Sequence, residues 1–204
     1  MSVIGILRGL RPEQAEGVGT LLYDAGFRVL EVPLNSPDPL DSIARMRREL
    51  PDDCAVGAGT VLTPEDVRRV ADAGGNLIVS PHTDPAVIAA TVETGMDSYP
   101  GAATPTEALA ALAAGCTGVK VFPASQVGST GVRAWCDILP AGTALLPVGG
   151  VRLDDLATWL AAGCTGFGFG SALFRPGLDL DQLRVNAHQI LAAYDAASAT
   201  RSTL

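Results

Sequence analysis

Lys120 is the only lysine among 204 residues, and it stands in the apolar string Gly118-Val119-Lys120-Val121-Phe122-Pro123. Flanks of valine and phenylalanine place it in an apolar interior. Burial there disfavours the ammonium and leaves a neutral amine able to attack a carbonyl. The chemistry this predicts is a Schiff base with a small keto acid. Glu31, in Val29-Leu30-Glu31-Val32-Pro33, is a carboxylate in a similar apolar run, a costly position unless the group has a partner or a task. The task that fits is proton transfer at the carbon beside the imine and at the hydroxyl of the bond being cleaved. A buried Lys120–Glu31 pair that only holds the core together uses the same two residues, and both readings stand at this point. An imine with pyridoxal phosphate needs partners for the pyridine nitrogen, and no such groups are evident.

Other candidates lie near the ends of apolar runs. Arg8 can take a carboxylate or phosphate bidentately, and Thr60 can offer its hydroxyl to the same anion. Gly149-Gly150 and Gly168-Phe169-Gly170-Ser171 are glycine turns of the kind that let backbone N–H groups approach a phosphate, although tight turns use the same residues. His82, after Pro81, can line the mouth of the site, but an exposed loop position is the favoured reading, and His188 is expected on a helix surface. Cys54, Cys116, Cys136 and Cys164 show no C-x-x-C spacing and read as small buried packing residues. Neither histidine has H-x-H or H-E-x-x-H spacing, so metal catalysis is set aside and no cofactor is expected.

The elements that must position these groups alternate. Candidate strands are Val3 to Arg8, Val29 to Pro33, Ala55 to Thr60, Leu77 to Ser80, Asp97 to Gly101, Gly118 to Phe122, Ala144 to Val148 and Gly166 to Gly170. Most are continuous apolar runs, which suits parallel strands buried on both faces. Thr63-Pro64-Glu65-Asp66 and Thr104-Pro105-Thr106-Glu107 carry a hydroxyl N-cap, a first-turn proline and an acid three residues after the cap. Gly26, Gly74, Gly95, Gly115 and Gly163 stand where left-handed C-caps are needed. The string AAGCTG occurs at 113–118 and again at 161–166, a trace of one repeating βα unit. Eight such units close most simply into a (β/α)8 TIM barrel with catalytic groups at the C-terminal strand ends. The alternative, an open doubly wound sheet, usually brings a G-x-G-x-x-G turn, and Gly57-Ala58-Gly59 lacks the third glycine.

Bulk properties bound the function. The chain carries a net charge of −8 and its arginines are scattered apart from Arg45, Arg47 and Arg48, so nucleic acid and membrane are poor partners. An apolar content of 48% supports one domain spanning 1–204, and the lack of a leader or spanning segment reads as cytoplasmic.

The chain resembles the class I KDPG/KHG aldolase family, the 2-keto-3-deoxy-6-phosphogluconate and 6-phosphogalactonate aldolases, and is most similar to the phosphogalactonate type. The resemblance covers nearly the whole chain. It rests on Ile6-Leu7-Arg8-Gly9, Glu31-Val32-Pro33-Leu34-Asn35-Ser36-Pro37, Gly57-Ala58-Gly59-Thr60-Val61-Leu62, Pro100-Gly101, Val119-Lys120-Val121-Phe122-Pro123, Val148-Gly149-Gly150-Val151 and Gly170-Ser171. It implies retro-aldol cleavage of a phosphorylated keto-deoxy sugar acid to pyruvate and D-glyceraldehyde 3-phosphate. Lys120 would form the imine and Glu31 shuttle the proton. Arg8 and Thr60 would contact the substrate, with Gly149, Gly150, Gly170 and Ser171 on its phosphate. It also implies a homotrimer without metal. Phosphogluconate-type enzymes have arginine where this chain has Asn35, which tilts the substrate toward the galacto epimer at C4 and leaves 2-dehydro-3-deoxy-6-phosphogluconate or 4-hydroxy-2-oxoglutarate as the alternative substrate. An isomerase or epimerase that uses Glu31 as base, and a non-catalytic phosphate-binding barrel, are the rival readings.

Overall fold

The computed structural model describes residues 3–201. Parallel strands β1 (Val3–Ile6), β2 (Val29–Pro33), β3 (Ala55–Gly59) and β4 (Leu77–Val79) alternate with helices α1 (Pro12–Ala25), α2 (Pro39–Glu49), α3 (Pro64–Asp72) and α4 (Pro85–Glu93). Then come β5 (Asp97–Tyr99), β6 (Gly101–Ala102), α5 (Pro105–Ala113), β7 (Val119–Val121), α6 (Ala124–Cys136) and β8 (Leu145–Pro147). A 3-10 turn at Leu153–Asp155, α7 (Leu156–Ala161), β9 (Phe167–Phe169) and α8 (Leu180–Arg201) complete the order.

The strands form two parallel ladders, β5-β4-β3-β2-β1-β9 and β6-β7-β8. The run expected as one fifth strand, Asp97 to Gly101, is therefore divided. Pro100 has no N–H to donate, so the ladder changes partner there. The Tyr99 carbonyl still accepts from Ser80 N at 3.1 Å, and the Pro100 carbonyl accepts from Lys120 N at 2.9 Å. A parallel bridge between Val148 and Gly168 links the end of β8 to β9. The result is an α/β fold built on curved parallel sheet.

Strand parity sorts the apolar residues into two clusters. Ile4, Ile6, Val29, Leu77, Val79, Tyr99, Leu146 and Val148 form an inner one among the strands. Their neighbours Val3, Leu7, Leu30, Val32, Ile78, Val119, Val121 and Leu145 join the larger cluster shared with the helices. Because side chains alternate with period two, a strand buried on both faces needs apolar residues at every position, which is why these runs are continuous. Each fully buried Leu- or Ile-sized side chain contributes roughly 1.5–3 kcal/mol.

Helix boundaries follow local chemistry. Pro12, Pro39, Pro64, Pro85 and Pro105 each open a helix, where a missing N–H costs nothing. Thr63 accepts from Asp66 N, and Thr104 with Glu107 forms a complete capping box. The five expected C-cap glycines all have φ between 74° and 117°. The two AAGCTG copies are structurally equivalent. In each, the cysteine N–H returns to its helix (Cys116 N to Ala111 O, Cys164 N to Trp159 O), and the threonine N–H reaches the preceding strand at Ser98 O or Leu145 O. The cysteines depart from expectation in part: Cys54 and Cys164 are buried, Cys116 is half-buried and Cys136 is exposed. Cys136 sits at the end of α6, where the helix turns its outer face to solvent and its thiol meets the Ala162 carbonyl at 3.4 Å.

Candidate functional site

The inner side of the sheet carries a carboxylic acid, Glu31, and an amine, Lys120, among its largely apolar lining. Glu31 shares the parity of Val29, and Lys120 is out of phase with the helix-facing Val119 and Val121, so both project toward the inner cluster. Glu31 is 2% exposed and Lys120 8%. Burial pushes the Glu31 carboxyl up to about 7, with Lys120 and Arg8 pulling in the opposite direction. Burial lowers the Lys120 amine, with Glu31 acting against it and Arg8 adding to it. Each group is thus driven toward its neutral form in spite of the other, because losing water outweighs their mutual attraction. The ion pairs among the described residues join arginines to Asp or Glu, and none includes Lys120 or Glu31. The Glu31 Oε2 is buried without a hydrogen-bond partner. The Lys120 Nζ lies 4.6 Å from the centroid of the Phe122 ring, which favours whatever ammonium fraction remains.

This arrangement suits a reacting pair better than a structural one. A structural pair would be closely hydrogen-bonded to offset its desolvation. Here an acid whose pKa is raised to about 7 and an amine of lowered basicity share one interior, with Glu31 Oε2 unpartnered, an arrangement whose chemistry can include proton transfer and nucleophilic attack.

Arg8 follows β1 at the next inner position after Ile4 and Ile6. Its Nη1 donates to Asn35 Oδ1 at 2.7 Å and its Nη2 to Thr60 Oγ1 at 3.4 Å. The loops that carry these residues are tied together: Gly9 N donates to Ser36 Oγ at 2.9 Å, and Leu34 N to the Gly59 carbonyl at 2.8 Å. Thr60 has φ +57°, a left-handed conformation that a β-branched residue takes at a cost of order 1–3 kcal/mol. The strain falls at the residue that touches Arg8.

Arg8 also lines a cavity of about 190 Å³ together with Gly149, Gly150, Gly170 and Ser171, walled by Ile6 and Val148. That volume is below the roughly 300–1,000 Å³ of a complete small-ligand pocket, and it suits one anionic end of a longer ligand. Gly149 and Gly150 have φ +86° and +87°, and a Cβ at Gly150 would press on the Ser125 side chain. After Gly170 the chain makes one helical turn, with Leu173 N and Phe174 N both bonded to the Gly170 carbonyl. A larger concavity of about 600 Å³ lies outside the sheet between α6, α7 and α8, with Arg133 its one charged lining residue among the described residues. Its described lining holds no acid–base pair, so chemistry and not size marks the site.

The structure therefore brings Lys120 and Glu31 together inside the sheet, and Arg8, Thr60, Gly149, Gly150, Gly170 and Ser171 together at its rim. Arg8 belongs to both groups, since its charge acts on Glu31 and Lys120. His188 is exposed as expected. His82 differs from expectation. It is half-buried, with its Nδ1 enclosed and unpartnered, because the loop after β4 closes tightly over Gly101. Sequence reasoning passed over Gly59, which faces the Glu31 carboxylate. The signal was available, since a glycine at the end of a strand beside an acid-bearing strand leaves room for that acid.

A family model described as KDPG and KHG aldolase matches residues 1–185. The chain belongs to that aldolase family. Among its relatives, the "Probable 2-dehydro-3-deoxy-6-phosphogalactonate aldolase" of Rhizobium meliloti (strain 1021) is 50% identical over 95% of this chain and 92% of its own. The 2-dehydro-3-deoxy-6-phosphogalactonate aldolase of Escherichia coli (strain K12) is 41% identical over 95% of both chains. A solved structure described as native KDPGal superposes with a TM-score of 0.94 at 41% identity, covering 97% of this chain and 96% of that one. A designed cube-shaped protein cage, made by fusing symmetric oligomeric domains, contains a region that superposes at 0.96 with 40% identity, covering all of this chain and 75% of that one.

Proposed function

We propose that this aldolase-family chain is a class I aldolase that cleaves 2-dehydro-3-deoxy-6-phosphogalactonate to pyruvate and D-glyceraldehyde 3-phosphate. The observation that carries the reading is the buried Lys120 amine held toward neutrality opposite the Glu31 carboxyl. The neutral amine attacks the C2 carbonyl of the substrate, and loss of water gives the imine. Glu31 as carboxylate takes the proton from the C4 hydroxyl, the C3–C4 bond breaks, and its electron pair moves through the new enamine onto the imine nitrogen. The aldehyde leaves, Glu31 returns its proton to C3, and hydrolysis frees pyruvate and Lys120.

Arg8 and Thr60 bind the substrate, and the backbone around Gly149, Gly150, Gly170 and Ser171 receives its phosphate in the 190 Å³ cavity. The fold is one domain, a closed (β/α)8 barrel, a reading supported by the parallel ladders and by the single bridge between Val148 and Gly168. The assembly is a homotrimer, a reading supported by the oligomeric domains of the related cage. The place of action is the cytoplasm, in keeping with the absence among the described residues of any helix long and apolar enough to cross a membrane.

Borohydride reduction in the presence of pyruvate tests the chemistry. The expected product is a covalent lactyl adduct on Lys120, and an unmodified Lys120 peptide in the mass spectrum refutes the reading. Since Lys120 is the only lysine, background labelling is confined to the N-terminal amine. Pyruvate release from the two C4 epimers, measured side by side, tests the galacto preference.

A further inference from the structure

We propose that Gly59 is the positioning residue for Glu31: the missing side chain at the end of β3 forms the seat that holds the carboxylate in its working place. The proposal rests on the aldolase reading above and names a residue that the reading does not use. Glu31 and Gly59 lie on adjacent strands, β2 and β3, whose register pairs Pro33 with Gly59 and Glu31 with Gly57. A Cβ built on Gly59 would overlap Oε2, Cδ and Oε1 of Glu31, and these are its three nearest atoms. The vacancy beside the Gly59 Cα is thus filled by the carboxylate itself.

Backbone geometry does not require glycine here. Gly59 is absent from the positive-φ residues, so an alanine can be accommodated by the main chain. Gly57 provides the contrast. Its Cβ would run into the Leu77 carbonyl and main-chain carbon, which belong to the ladder and cannot move cheaply. At Gly59 the obstructing group is the far end of a flexible side chain, so the carboxylate gives way and the fold does not. The displaced carboxylate can only leave the Gly59 side of its strand, and it is the proton-transferring group that is lost from position. A misplacement of about 1 Å in such a group costs on the order of a hundredfold in rate.

Gly59→Ala is expected to fold, to be trapped by pyruvate and borohydride at Lys120 as the wild type is, and to lose at least tenfold in kcat with KM changed less than threefold. Its acid limb in kcat against pH should move from that of the wild type, because the carboxyl has left its enclosed seat. Combining Gly59→Ala with Glu31→Asp withdraws the acid by one methylene from the new methyl, and the two losses should then fail to multiply. Wild-type kcat and pH profile in Gly59→Ala, or cleanly multiplicative losses in the double variant, overturn the proposal. If Gly59→Ala does not fold, Glu31→Ala/Gly59→Ala should fold as well as Glu31→Ala, and its failure to do so also overturns it. Absence of an adduct in the wild type refutes the aldolase reading instead, so the two failures are distinguishable.

Discussion

A carboxyl lifted to about 7 has two consequences at the level of the single residue. The first concerns catalysis. In the proposed mechanism Glu31 must be ionised to accept the C4 hydroxyl proton, so kcat should fall as pH drops below about 7, and Glu31→Gln should lower it by roughly 10²–10⁴-fold while the pyruvate adduct on Lys120 still forms. The second concerns stability. The folded value lies above the ordinary carboxylate value, so folding favours the protonated form. The Glu31 contribution is fully present below the unfolded value near 4.5 and is lost as pH rises through about 7. Glu31→Gln removes that penalty. It should therefore be more stable than wild type at pH 8, by roughly 1–3 kcal/mol, with the advantage shrinking toward pH 4.5. Urea titrations of both proteins across that range check the sign, and an advantage that grows on acidification contradicts it. The gain in stability with loss of activity is what a buried charge retained for chemistry should show.

Elements have their own accounts, set by their ends. The α5 capping box satisfies the donors that open the helix: Glu107 Oε2 accepts from Ala103 N at 2.9 Å and Thr104 N at 2.8 Å, while Glu107 N reaches Thr104 Oγ1 at 3.3 Å. Those bonds from Ala103 and Thr104 hold the Glu107 carboxyl below its usual range. A depressed folded value contributes stability that is present above the unfolded value and is lost as pH falls through the folded one. Glu107 is half-buried, so solvent reduces the effect in part. Thr104→Ala should cost about 1 kcal/mol at neutral pH, read as a lowered midpoint in thermal or urea unfolding, with kcat and KM unchanged. A change in kcat would mean that α5 helps to position the site. The elements also show what was readable. First-turn prolines, hydroxyl caps and C-cap glycines act within four residues, so α3 and α5 were legible from the string alone. Pro100 was visible too, yet its division of the expected fifth strand depends on which neighbour offers the acceptor, which is a property of the sheet.

Assembly and closure belong to the whole molecule. The homotrimer reading predicts sedimentation at three times the 20.9 kDa chain mass at micromolar concentration, and a species at the single-chain mass refutes it. The net charge of −8 is spread over a surface whose ion pairs are mostly short-range and exposed, each of little energetic weight. Stability comes from the two apolar clusters. The inner one is also the floor of the candidate site, since Ile6 and Val148 line the rim cavity as well.

By itself the sequence determined the chemistry of the parts: a lone lysine and a glutamate in apolar strands, glycine turns near the chain's last strands, and the repeat that makes the elements alternate. Those properties are local, because period-two burial and end-capping are decided within a few residues. Only the tertiary structure decided that Glu31 and Lys120 share one interior, that Arg8 is held by Asn35 and Thr60, and that Gly59 leaves room for the acid. Parity can be read along a strand, but register between strands fixes which side chains meet. Burial of the completed interior, which no single strand supplies, is what moves the acid and the amine toward their neutral forms.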